Sequence, residues 1–264
     1  MEFINAVILG IVEGVTEFLP ISSTGHLLIT EHLMHVHKSD AFNVVIQVGP
    51  ILAVMLVFWK DILKLLTDLR SKRTRDEFIK LTACFVLTGI AGLIAKKLGF
   101  KLPETVFPIA VATIVGGGVI FWAEWRINKK TFRDAATWSV VIAVAAGQLL
   151  AAVFPGTSRS GAAVIAGLLL GLSRPGAVRF AFLVGIPTMI AAGVLQIKEA
   201  ISAGQAAELM APQAIAAFTA ATATAWLTVV WLLRFIQRRT FIPFAWYRLA
   251  LGAVMIALVV TGTI

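Results

Sequence analysis

The chain has 264 residues, of which 59% are hydrophobic and 14% charged, with mean hydropathy +0.90 and a formal net charge of +9. A soluble domain carries about 25% charged residues, so the composition excludes one and points to an integral membrane protein. The basic excess is spread between apolar segments, which speaks against nucleic-acid binding and for loop charge that sets topology. The single cysteine, Cys84, lies in an apolar run and rules out a disulfide framework; a small core or lipid-facing side chain is its plain reading.

The first segment, residues 3–30, opens on the apolar FINAVILGIV and is broken by EGVTEFLPISSTGHL at 13–27. Its interruption at Glu13 and its lack of a basic flank argue against a cleavable signal peptide. Charge-free stretches of about the 20 residues a crossing needs follow at Ala41–Trp59, Thr105–Ala123, Phe180–Ile197 and Leu209–Leu233. Leu81–Ala95 is shorter, with Lys80, Lys96 and Lys97 placed to snorkel, and Leu249–Ile264 reaches full length by extending back through FIPFAWY. These make six transmembrane helices. Residues 136–173 form the second exception, broken by PGTSRSG at 155–161. Polar backbone at membrane depth is tolerated only inside protein or beside a wet cavity, so both exceptions read as re-entrant helix-loop-helix hairpins, although 135–154 alone is long enough to span.

Basic residues test this layout. Segment 60–80 holds seven Lys/Arg, RINKKTFR four, RPGAVR two and 234–248 four; hairpins that return to their side of entry put all seventeen on one face. The other face receives Lys38, Lys96, Lys97, Lys101 and Lys198. Seventeen against five marks the first face as cytoplasmic and puts both termini outside. Opposed hairpins suggest an inverted repeat, roughly 1–126 and 134–264. FLPISSTGHL matches VFPGTSRSGA, and AFNVVIQVGPILAV resembles AVRFAFLVGIPTMI. Inverted repeats with broken helices place their site at the repeat interface, so the two polar loops are expected to meet.

Glu13 and Glu17 share a helix face. Paired carboxylates in a low dielectric suit a divalent cation or acid/base work, while a water-exposed pair at a helix end needs no ligand. Pro20 stops the helix, and Ser22, Ser23 or Thr24 can cap the next one, whose N-terminal amides form an anion site with Gly25 in the turn. Ser23 is also a candidate nucleophile, with His26 to take its proton or serve as a general acid or base. His32, His35 and His37 read as solvated loop residues. In the second loop Arg159 fits phosphate oxygens with its planar fork, alongside Gly156, Thr157, Ser158, Ser160 and Gly161. An internal ion pair from Arg159 to Glu13 or Glu17 is compatible with that role. No Walker A pattern is present. Gly116–Gly118 reads as a helix-packing feature. Gln148 stands seven residues before Pro155, as Glu13 stands before Pro20, so the second half lacks the carboxylate pair.

EGVTEFLPISSTGH and PGTSRSG, with their spacing and the apolar pattern over essentially the whole chain, resemble the bacterial undecaprenyl pyrophosphate phosphatase family, known also for bacitracin resistance. The resemblance implies hydrolysis of a polyprenyl pyrophosphate lipid to its monophosphate for cell-wall synthesis. It implies a requirement for Mg2+ or Ca2+ with Glu13 and Glu17 in the glutamate-rich motif, and Ser23, His26 and Arg159 as essential residues. It also implies a homodimer in the bacterial inner membrane with its site open to the periplasm or exterior. The alternative is a transporter or flippase for a phosphorylated lipid or anion, since inverted repeats with midplane loops also suit a carrier.

Overall fold

A computed structural model describes residues 2–100, 105–127 and 132–263. The helices are α1 (Glu2–Thr16), α2 (Ser23–Leu33), α3 (Asp40–Val57), α4 (Trp59–Thr67), α5 (Lys72–Lys97) and α6 (Val106–Ile127), then α7 (Trp138–Val153), α8 (Arg159–Leu169), α9 (Arg174–Ser202), α10 (Ala206–Leu209), α11 (Pro212–Phe235) and α12 (Ile242–Val260). No strand occurs among the described residues, only one isolated bridge between Arg133 and Leu172. Six of the helices, α3, α5, α6, α9, α11 and α12, are long and apolar enough to cross a membrane.

The helix starts are local and legible. Ser39, Ser71, Thr137 and Ser173 cap α3, α5, α7 and α9 by accepting from the amide three residues on. Pro175, Pro212 and Pro243 stand in the first turns of α9, α11 and α12, where the missing N–H costs nothing. One start departs from expectation. The basic segment 72–80 is helical and continues into the apolar run, so α5 has 26 residues rather than a marginal fifteen. Charge did not break the helix because straight-chain Lys, Arg and Glu are good helix formers.

Small residues let the helices approach. Gly10 and Gly14 of α1 lie directly on the backbone of α11 at Ala217 and Ala221, and Gly49 of α3 sits beside Phe218 and Thr222 on the same helix. Since 10 precedes 14 as 217 precedes 221, α1 and α11 run parallel. The outer surface of α5 exposes Val86, Leu87, Ile90, Leu93 and Ile94, an apolar face suited to hydrocarbon.

Charged groups gather at two ends. At one, Arg179 pairs with Asp61 (2.7 Å) and with Glu77, Glu124 binds Arg174 and the Phe241 amide, and Ser173 donates to Asp134. At the other, Lys96 pairs with Glu199 (2.5 Å), Ser39 donates to Glu208, and Glu31 lies 3.8 Å from His37. Arg179 and Glu199 lie twenty residues apart on α9, about 30 Å along a helix, which matches a bilayer's hydrocarbon core. One residue of the basic tally is misplaced: Arg248 lies on α12 and is buried in the interior rather than in a loop. Lys101, Lys129 and Lys130 fall outside the described residues.

The short helices come as broken pairs. The chain enters and leaves α7–α8 at one point, since the Arg133 amide donates to the Gly171 carbonyl (3.0 Å) and the Ser173 amide to the Arg133 carbonyl (2.9 Å). α2 ends with Glu31 lining a cavity beside Asp40 and Glu199, near the end where parallel α11 begins.

Candidate active site

The two breaks are built alike. Ser22 and Ser158 each adopt positive φ (74° and 69°) and cap the following helix, their hydroxyls accepting from the amides of Gly25 (3.4 Å) and Gly161 (3.2 Å). Left-handed backbone at a non-glycine residue costs on the order of 1–2 kcal/mol, which the caps help to offset. The starts of α2 and α8 line one cavity, and first-turn amides of a helix have no intrahelical partner.

The loops touch. Ser160 Oγ lies 3.0 Å from the Glu17 carbonyl and 3.3 Å from that of Leu19, and Ser158 Oγ lies 3.5 Å from the latter. A Cβ at Gly161 would stand 3.1 Å from that of Pro20, tighter than ordinary contact, so glycine suits this approach. Glu17 is the bridge between the halves: Oε1 accepts from Arg159 Nη2 at 2.7 Å and Oε2 from Ser23 Oγ at 2.7 Å. Arg159 remains one-third exposed, whereas Glu17 is nearly buried. These groups, with Ser22, Thr24, Gln47, Gly156 and Ser158, line a cavity of 190 Å³. It adjoins a second one of 460 Å³, which shares Ser23, Thr24 and Gln47 and adds Glu13, Asn43, Glu31, Asp40 and Glu199.

Other expected residues lie elsewhere. His26 lines neither cavity; Nδ1 lies 2.7 Å from the Ser22 carbonyl and therefore carries a proton, and in the neutral ring Nε2 accepts from Tyr247 Oη at 2.7 Å. Thr157 faces an apolar groove between α6 and α7–α8. Ser158 and Ser160 spend their hydroxyls on the first loop's backbone, and the Gly25 and Gly161 amides serve the caps. Among the described residues no group of three or more His, Cys, Asp or Glu is placed to hold a metal ion.

Glu13 is 1% exposed, and neither carboxylate oxygen has a hydrogen-bond partner; the same holds for Asn43 Oδ1, on the wall of the same cavity. A buried carboxylate without donors is costly unless a cation or a proton accompanies it. Magnesium and calcium take oxygen ligands and accept one or two carboxylates, so this donor set fits such an ion. Glu17 is less available, since Arg159 and Ser23 already engage both its oxygens.

Sequence reasoning missed Arg248, Asn43 and Gln47. Arg248 is 1% exposed and binds four carbonyls: Thr113 (3.0 Å), Ala112 (3.1 Å), Pro20 (3.2 Å) and Gly156 (3.1 Å). A Cβ on Gly116 would overlap its guanidinium, so at least this glycine of the 116–118 run makes room for a side chain rather than for a helix. The signal was available: a single charge inside a stretch otherwise apolar enough to span.

Fold and site together define a multi-pass membrane protein whose polar centre is made where two interrupted helix pairs meet. The model of the bacitracin resistance protein BacA family matches residues 6–254, and the chain belongs to that family. Its relatives include proteins named undecaprenyl-diphosphatase: one from Rhizobium etli, 47% identical over all of both chains, and one from Xylella fastidiosa, 46% identical over 97% of this chain and 98% of the relative. Another, from Xanthomonas campestris, is 45% identical over 97% of each.

Proposed function

We propose that the chain hydrolyses undecaprenyl pyrophosphate to undecaprenyl phosphate and inorganic phosphate, the activity that its relatives' name describes. That name favours hydrolysis over the transport alternative. The observation that carries the site assignment is Glu17, held between the Ser23 hydroxyl and the Arg159 guanidinium where two helix N-termini converge. Arg159 and the first-turn amides of α2 and α8 bind the pyrophosphate, the guanidinium turning its fork toward phosphoryl oxygens.

Ser23 Oγ attacks the terminal phosphorus while its proton passes to Glu17. The bond to the bridging oxygen breaks and undecaprenyl phosphate leaves. Glu17 gives the proton it took to the departing phosphate oxygen and is a carboxylate again. It then takes a proton from the water that attacks the phosphoserine, and returns that proton to Ser23 Oγ as inorganic phosphate leaves. Positioned donors stabilise the charge that spreads over the transferring phosphoryl oxygens. His26 acts at one remove, its Nδ1–H holding the carbonyl of Ser22 and so the strained cap beside Ser23. Glu13 and Asn43, with Glu17 when it releases a partner, would hold Mg2+ or Ca2+. That ion supplies electrophilic neutralisation of pyrophosphate charge.

The same reading takes α1–α2 and α7–α8 as re-entrant hairpins of an inverted repeat, roughly 1–126 and 134–264, in the bacterial inner membrane. The end bearing Lys96 and Glu199 then faces the periplasm or exterior, because the basic residues concentrate at the opposite end. The homodimer rests on the family resemblance alone. Purified protein in detergent should release phosphate from C55 pyrophosphate, and Ser23→Ala, Arg159→Ala and chelation should each abolish release. Acid quenching should trap phosphoserine at position 23. Lipid movement across a vesicle without phosphate release would overturn the hydrolase, and inversion at phosphorus would replace Ser23 by water as nucleophile.

A further inference from the structure

We infer that Arg248 is a positioning residue that sets the spacing of the two loops; the inference rests on the reading that pyrophosphate binds between them. Its guanidinium takes one carbonyl from each loop, Pro20 O at 3.2 Å and Gly156 O at 3.1 Å. Two further bonds, to Thr113 O and Ala112 O, anchor it to α6. Nε and both terminal nitrogens are engaged, so the planar fork has one orientation available.

Pro20 lies in the turn between Thr16, where α1 ends, and Ser23, where α2 begins, and Gly156, at φ 89°, lies in the turn of the second pair. Both carbonyls belong to turn residues outside the helices, where no regular ladder of backbone bonds holds them. The loops also touch directly, through the Arg159–Glu17 ion pair (2.7 Å) and through neutral hydroxyl contacts of Ser158 and Ser160 (3.0–3.5 Å), all of them between groups of the loops themselves. Arg248 joins them from a third element, α12, and through charge-assisted bonds, which are roughly twice as strong as neutral ones. Among the described residues no carboxylate forms an ion pair with it. The bonds it makes go to backbone carbonyls, the pattern of a positioning residue rather than of an anion ligand. Gly116 completes the device, since any side chain there would displace the fork.

The test uses the full chain in nanodiscs and two readouts. Arg248→Met removes the fork, and Gly116→Ala keeps the charge but pushes the guanidinium off its carbonyls. Both should lower kcat by about 10- to 100-fold, the scale of an ångström-level misplacement, with KM changed far less. Arg248→Lys should recover part of the loss, because an ammonium has donors but no planar fork. Deuterium exchange should accelerate in segments 17–24 and 155–161 and stay unchanged in α5 and α11. Wild-type kcat in Arg248→Met overturns the inference. So does a lower kcat with unchanged loop exchange, or exchange that rises over every helix alike. Should Arg248→Met not fold, Gly116→Ala and Arg248→Lys decide by the same criteria. Should the wild type release no phosphate, the functional reading fails, while the exchange arm still reports whether Arg248 orders the loops.

Discussion

Glu17 answers to two partners at once, and its neutral isostere separates their contributions. Glu17→Gln keeps the shape, loses the proton acceptor for Ser23 and leaves Arg159 without its counter-charge. The expected result is a fall in kcat of about 10²- to 10⁴-fold, the usual scale for losing a general base, with folding retained because Arg159 is partly exposed. Steady-state phosphate release with a thermal melt checks both halves, and a folded variant with near-normal kcat rules Glu17 out as base. Glu13 makes a different prediction. In chelator, Glu13→Gln should be at least as stable as the wild type, by up to about 1–3 kcal/mol, since a buried carboxylate without donors is removed. Added Mg2+ or Ca2+ should raise the melting temperature of the wild type and leave that of the variant unmoved. An equal metal-dependent shift in both would show that Glu13 holds no cation. The meeting of Glu17 with Arg159 was legible because two polar motifs interrupted two apolar segments, and buried charges seek each other. The partners of His26 were not, since nothing in ISSTGH announces that its ring turns toward Tyr247 on α12.

Helix contacts supply the next prediction. Gly10 and Gly14 stand four apart on α1 and both lie against α11, where Ala217, Ala221 and Ala225 are fully buried. Such small-residue seams are how apolar helices associate where lipid competes with any larger side chain. Gly10→Val would drive its branches into the Ala217 backbone and should cost about 1–3 kcal/mol, the range for overpacking. Gly89→Ala on α5 has open space around it and should be neutral or stabilising by about 0.5–1 kcal/mol. Thermal unfolding in one detergent compares the pair; equal effects would mean that the α1–α11 seam is not packed as described. Element existence was readable in the sequence because a charge-free run of spanning length has few alternatives. Element ends were less so. α5 runs on through Lys72–Lys80, where charged side chains sit on a helix that has already begun, and only Ser71 marks its start. The break in each short pair was plain from its proline, yet the caps at Ser22 and Ser158 depend on a backbone conformation that serine seldom adopts.

At the scale of the whole molecule the separable question is which ends of the broken pairs share a side of the membrane. Glu2 at the start of α1 and the exposed His37 after α2 would lie on opposite sides if the pair crossed the bilayer as one interrupted span, and on the same side if it is re-entrant. Parallel packing of α1 on α11, whose first residue follows the Glu208 contact with Ser39, predicts the same side. Arg70 and Ala135, both exposed, belong to the opposite end with Asp61, Asp134 and Arg179. Removing Arg248 from the basic tally leaves sixteen Lys/Arg (seventeen less one) against five, so the positive-inside argument survives the correction. Single cysteines at Glu2 and His37 should therefore react with a membrane-impermeant maleimide on intact cells stripped of outer barriers, and those at Arg70 and Ala135 only after lysis. Native Cys84 is buried and contributes little background. Labelling of Glu2→Cys and His37→Cys from different sides would make α1–α2 a crossing, and the proposal that Glu17 and Arg159 take a substrate from one face of the membrane would fail with the hairpin.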